Sequence, residues 1–178
     1  GVGLLNEWVQ EIANVPHDLH GEISSQGQVD ESLVEEVLRA PFFQRSLPKA
    51  ADLHQFDHID IAGMTAEDGA ATLCAITVAA FVQAAKKLPA LPDQVLLTGP
   101  GSENPVICRM LGEHFAQVTN VKQRGRNPKT MAAECYAWLA VRYVNRLPVT
   151  SPETTGCTTA DCAGFITRPL HAEHTIRS

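Results

Sequence analysis

Residues 94–105 read QVLLTGPGSENP, and this stretch decides the fold class. Gln94 to Thr98 is a short apolar run of the kind that forms a strand, Gly99-Pro100-Gly101 is turn chemistry, and Pro105 suits the first turn of a helix. That helix is expected to reach Phe115, with Val106, Met110 and Leu111 facing inward. A strand that ends in glycines and enters a helix lets backbone approach a flat or phosphorylated ligand closely, and the helix start offers free N–H groups. A tight turn with a purely structural task uses the same residues, so the stretch alone fixes a strand-turn-helix unit and leaves its chemistry open.

Upstream, Leu4, Leu5, Trp8, Val9, Ile12 and Ala13 recur at helical spacing and predict an amphipathic helix that stops before Pro16. Residues 15–29 read as a loop, after which Asp30 caps a helix carrying Leu33, Val34, Val37 and Leu38 and ended by Pro41. Residues 42–61 give little periodicity and are expected to be irregular. The strongest helix runs from about Ala66 to Leu88, with Thr65 and Asp68 forming a capping-box-like start. Its core, AATLCAITVAAFVQAA, has so few large polar side chains that it must be mostly buried, as the spine of the domain.

Downstream, 118–123 predicts a second short strand, and Asn127-Pro128 a cap and first-turn proline for a helix ending near Arg146. Met131, Cys135, Trp138, Leu139, Arg142 and Tyr143 lie on that helix. Residues 150–169, rich in Thr, Pro and Gly with a strand-like FIT near their end, read as an extended segment draped on the domain. Short strands alternating with longer helices argue for an α/β fold.

At 178 residues and 44% hydrophobic, the chain suits one compact domain. The absence of an 18-residue apolar run argues against a membrane span, and a net charge of −6 with scattered basic residues argues against a nucleic-acid surface. The basic run Lys122 to Arg126 reads as a solvated loop. Of five cysteines, Cys74, Cys108 and Cys135 sit in apolar patterns as small core residues, so a reducing, cytoplasmic setting is expected. Cys157, Cys162, His171 and His174 lack the count and spacing of a metal site, and His17, His20, His54 and His58 fall in two separate loops without a ligand pattern; no metal ligand is expected. Trp8, Tyr136, Trp138 and Tyr143 read as packing residues, and Glu134 as a surface acid on its helix.

Five blocks together resemble the C-terminal half of the anhydro-N-acetylmuramic acid kinases, of the actin-like ATPase and sugar-kinase superfamily (ribonuclease H-like fold). They are GVGLLNEW, HDLHGEISSQGQVDESLVEEVLRAPFFQRSLPK, TAEDGAATLCAIT, LLTGPGSENPVICRMLGEHF and MAAECYAWLAVRYVNRLPVTSPETTG, and their order spans nearly the whole chain. The resemblance implies a single C-terminal kinase-like lobe over residues 1–178, with short strands, long packed helices and 150–178 as a tail packed on it. It implies ATP with Mg²⁺ as cofactors and a 1,6-anhydro amino sugar as substrate. It also implies nucleotide contact at Gly99, Gly101, Ser102 and Asn104.

Three departures stand out. The family shows consecutive glycines where this chain has Gly99-Pro100-Gly101, and a proline removes one N–H. A PKSxGRE-like stretch keeps Lys49, with Ala50, Asp52 and His54 for its Ser, Gly and Glu. The general base is implied to lie in a DTGPGN-like segment within which the sequence begins, with Val2 where asparagine is expected; no catalytic residue is therefore named. Asp18, Gly21 and Gly27 match a family block without an assigned contact. The expectation is a phosphotransferase lobe, inactive alone, whose partners are ATP, the amino sugar, a missing N-terminal lobe and a second copy in a homodimer. The alternatives are a non-catalytic nucleotide- or protein-binding module descended from a sugar kinase and, beyond the family, an α/β domain with an unrelated small-molecule site away from the glycine turn.

Overall fold

The computed structural model describes residues 2–167, which divide after Cys135 into two compact units. The first is built around helix α4 (Ala66–Ala85). Its first turn is capped by Thr65, whose hydroxyl oxygen accepts from the Asp68 N–H at 3.1 Å. Asp68 does not complete a capping box: its carboxylate accepts from the Gln28 N–H at 2.7 Å, which ties the 15–29 loop to the helix start. Gly69, Ala70, Leu73, Cys74 and Ile76 are among its buried residues. Twenty residues long, with a mean hydropathy of 1.4 over its most apolar 18-residue stretch, α4 is long and apolar enough to cross a membrane, but its buried flanks are those of a core helix. Helices α1 (Gly3–Ala13), α2 (Glu31–Leu38) and α5 (Pro105–Gly112) all pack on it.

The α1 contact depends on a glycine. The Trp8 indole covers Gly69 so closely that a Cβ there would lie 2.4 Å from the ring, and the indole N–H donates to the Ala66 carbonyl at 3.0 Å. Asp30 caps α2 as expected, accepting from the Leu33 N–H at 3.0 Å. Pro41 does more than end that helix: α2 stops at Leu38, and Pro41 takes the first position of a short helix α3 (Pro41–Gln44). The region read as irregular thus holds α3 and a 3₁₀ turn, Leu53–Phe56, and Phe42, Phe43 and Phe56 form an aromatic cluster with ring centroids 5.2–5.8 Å apart.

Strand β1 (Gln94–Leu97) pairs in parallel with β2 (Gln117–Asn120), Val95 opposite Val118. Parallel neighbours need a crossover, and α5 supplies it. The chain is therefore helix-rich α/β with a small parallel two-stranded sheet. The strand read at 118–123 is shorter, because Asn120 caps a 3₁₀ turn at Val121–Arg124 by accepting from the Lys122 N–H.

Helix α6 (Met131–Val144) starts three residues later than the proline suggests. Asn127 accepts from the Lys129 N–H and its carbonyl from the Thr130 N–H, so Asn127-Pro128 shapes a turn ahead of the helix. None of its residues is buried. Cys135 is exposed, as are Tyr136 at 73% and Trp138 at 55%, correcting their reading as core and packing residues. Trp138 instead lies against the Arg142 guanidinium, 4.6 Å from the ring centre.

In the second unit Pro152–Thr155 forms a short helix α7, and the Asp161 carbonyl accepts from the Val149 N–H at 2.9 Å. Residues 165–167 form no strand. His171 and His174 fall outside the described residues, as does the end of the segment read as a tail.

Candidate functional site

The glycine turn is held from three sides. Gly99 has φ of 77°, a region that costs a side chain strain, and a Cβ there would meet nothing within 4 Å, so bare backbone borders open space. Pro100 opens a 3₁₀ turn to Glu103. A proline at that first position gives up an N–H that the turn does not use. The Ser102 hydroxyl donates to the Gly99 carbonyl at 2.7 Å and accepts from the Asn120 side-chain amide at 2.9 Å. Asn104 caps α5, its Oδ1 accepting from the N–H groups of Val106 and Ile107 at 2.9 and 3.3 Å.

The second anchor is Asp18, buried at 6% exposure. Its Oδ1 accepts from the Ile23 N–H at 2.8 Å, and its Oδ2 accepts from the Ser24 N–H, the Ser24 hydroxyl and the Asn104 side-chain amide, the last at 3.1 Å across 86 residues. A buried carboxylate is tolerable only when its lone pairs are used, and here several are. Asp18 thereby fixes the 15–29 loop to the glycine turn. Close approach does the same beside it: at Gly21, φ 71°, a Cβ would sit 3.2 Å from Asn104 Oδ1, and at Gly27 it would fall on the Glu67 carbonyl.

A cavity of about 350 Å³ opens between these elements. Gly99, Gly101 and Asn104 line it, with Val2, Leu5, Pro100, Pro128 and Ala132 as an apolar floor and His17, His20, Glu103 and Lys129 as polar groups. Ser102 does not reach it; 6% exposed, it acts as a staple behind the turn. Val2 starts α1 with no side-chain cap and packs so that a Cβ on Gly101 would lie 2.8 Å from its Cγ1. Glu103 is paired with Lys122, whose hydrogen bond and charge, with smaller help from Lys129 and His20, hold its carboxyl below the usual carboxylate range. His20 sits at φ 57°, uncommon for a side-chain-bearing residue and worth a functional reading. Glu134 is the surface acid expected, accepting from the Thr130 hydroxyl at 2.7 Å and lying 3.6 Å from Arg126.

Of the four residues expected to touch nucleotide, the structure brings three to the cavity wall and gives Ser102 and Asn104 defined structural bonds. Sequence reasoning assigned no role to Asp18, His20 or Lys129. Asp18 carried a signal, its match to a family block along with Gly21 and Gly27, but its partner Asn104 lies too far along the chain to be guessed.

Comparison with known proteins places the whole of this region within one family. The family model for anhydro-N-acetylmuramic acid kinase matches residues 1–169. Anhydro-N-acetylmuramic acid kinases of Rhodopseudomonas palustris (strain BisB18), Methylobacterium nodulans and Acidiphilium cryptum are 37%, 36% and 38% identical. Each alignment covers 95% of this chain and 47%, 46% and 48% of the relative, so the chain spans about half the length of these curated relatives. A match over that extent shows that the chain belongs to the anhydro-N-acetylmuramic acid kinase family.

Proposed function

We propose that the chain is the C-terminal, nucleotide-holding lobe of an actin-like sugar kinase that phosphorylates 1,6-anhydro-N-acetylmuramic acid with ATP, in the cytoplasm, and that it is inactive by itself. The observation that carries this is the cavity at the glycine turn. Its wall is bare backbone at Gly99, its floor is apolar as a base and sugar require, and Lys129 stands at its edge where a phosphate needs a cation. These residues fit a nucleoside phosphate. Gly99 and Gly101 would admit the base against backbone, Glu103 would accept from sugar hydroxyls, and Lys129 and His20 would meet the phosphates.

Mg²⁺ would arrive on the triphosphate, since such ions are commonly held by phosphates and one or two carboxylates. It would supply neutralisation of the charge that develops on the transferred group. Phosphoryl transfer depends on positioning both substrates across a closed cleft. In this reading the base and the rest of the phosphate cradle come from an N-terminal lobe, and the exposed apolar face of α6 is where that lobe or a second copy packs.

The test is an assay of ATP-dependent phosphorylation of 1,6-anhydro-N-acetylmuramic acid. The chain alone should give no product, and the chain mixed with the N-terminal half of the Rhodopseudomonas palustris relative should give product. Turnover by the chain alone would refute its inactivity. No product from the mixture, where the relative's own two halves do reconstitute, would favour the second reading: a non-catalytic nucleotide- or protein-binding module, to which Val2 and the altered residues after Lys49 lend support.

A further inference from the structure

On the far side of α1 from the glycine turn's cavity lies a second cavity of about 280 Å³, lined by Phe42, Phe43, Leu53, Phe56, Ile59 and Ala80 among others. Its wall is the aromatic cluster; its lining residues are uncharged, and two ammonium groups lie against two of its phenylalanines. The Lys49 ammonium sits 4.8 Å from the centre of the Phe42 ring and donates to the carbonyls of Phe42 and Phe43 at 3.2 and 3.0 Å. The Lys87 ammonium donates to that same Phe43 carbonyl at 2.8 Å and to the Arg45 carbonyl at 2.6 Å.

Two full positive charges thus converge on one carbonyl oxygen, and none of the ion pairs among the described residues uses Arg45, Lys49 or Lys87. Burial, then Lys87, then Arg45 hold the Lys49 ammonium below the ordinary lysine range, as expected where like charges meet without an acid between them. Each ammonium has three N–H groups and spends two on backbone, so each keeps one donor for an anion.

We infer that this apolar cavity and the Lys49–Lys87 ammonium pair beside its phenylalanines form a binding site for a medium-chain alkyl carboxylate, with the chain among the phenylalanines and the carboxylate on the ammonium groups. The apolar lining alone would take a neutral ligand and the cations alone any small anion. Their adjacency through the Phe42 ring selects a molecule that is both. The site is independent of the nucleotide reading, since α1 meets the two cavities through different residues, Val2, Leu5 and Asn6 at one and Gly3 and Leu4 at the other.

The experiment is titration of the whole chain with octanoate by calorimetry, with hexanoate, octanol and acetate as the other arms. Octanoate should bind saturably. Each buried methylene is worth about fourfold in affinity, so hexanoate should bind roughly tenfold more weakly or worse. Octanol should also be weaker by about tenfold, and acetate should give no heat. Ala51→Phe, at an exposed position on the cavity wall, should abolish binding, with Ala80→Phe as a second filling variant. Lys49→Gln combined with Lys87→Gln should bring octanoate down to the level of octanol. Octanol binding as tightly as octanoate, acetate binding as tightly as octanoate, no octanoate binding at all, or octanoate binding undisturbed in folded filling variants would each overturn the inference.

Discussion

Helices Ala66–Ala85 and Met131–Val144 are both rich in alanine with scattered large apolar side chains, yet the first buries ten residues and the second none. In α4 the close neighbours are visible: Trp8 over Gly69, the Gln28 and Asp30 N–H groups on Asp68 and Thr72, and Phe115 against Phe81. In α6 the apolar side chains Tyr136, Trp138, Val141 and Val144 stay more than half exposed. Apolar composition reports a demand for burial without saying what meets it. The glycine-turn site is tied to the helix whose demand is met through Asp18 and the 15–29 loop, and takes only Ala132 from the other.

The largest expected difference is in stability. Leu73→Ala in α4, at 2% exposure, should cost about 3 kcal/mol in urea unfolding, whereas Val141→Ala in α6, at 61% exposure, should cost less than about 0.5 kcal/mol. Comparable losses would mean that α6 is buried in solution. Next comes Asp18→Ala, which strands the Ser24 hydroxyl, the Ile23 N–H and the Asn104 amide. Leaving such groups unpaired costs about 1–3 kcal/mol, so a fall in Tm is expected, and an unchanged Tm would show that the loop and turn are held by other means.

The cysteines sharpen the same contrast. Burial, partly offset by a hydrogen bond from Ser24 and reinforced by Asp18, pushes the Cys74 thiol up to about 12, from 9.0 ordinarily. A thiol that ionises later in the folded chain stabilises it fully below pH 9 and loses that contribution as pH climbs from 9 towards 12, at about 1.4 kcal/mol per unit. Subtracting a Cys74→Ala variant from the wild type should reveal that slope. A disulfide reagent at pH 8 should meanwhile label Cys135 in the native chain and spare Cys74 until unfolding; rapid labelling of Cys74 would contradict its burial. The smallest effect is on thermal stability in Trp138→Ala, below about 0.5 kcal/mol; a larger loss would show that this half-exposed indole is packed in solution.

Much of the first unit was legible because its signals are local. The Thr65 and Asp30 caps, the Pro16 stop and the QVLLTGPG strand-turn each depend on residues within a few positions, and each element lies close to where they put it. What failed depends on distance or on context. The Asp18 to Asn104 bond joins residues 86 apart. Asn127-Pro128 has the form of a helix start, but the Asn127 carbonyl is spent on a turn. FIT at 165–167 has strand composition but pairs with no strand among the described residues. Cys135 and Trp138 sit in a helical apolar pattern that says nothing about which side is covered. At the site, the glycines were legible as turn chemistry, while Lys129 and His20 reach the cavity only through the folding of separate loops.

The central claim is that the cavity at Gly99–Asn104 holds a nucleotide, and calorimetry of the chain with ATP and Mg²⁺ tests it most directly. Two variants are needed: Gly101→Val, which drives a side chain into Val2 in the cavity floor, and Ala132→Phe, which fills the cavity from an exposed helix position. The account predicts weak, saturable binding by the wild-type chain that both variants abolish while their circular dichroism stays native. ATP binding that persists unchanged in a folded Ala132→Phe chain would place the nucleotide elsewhere and contradict it.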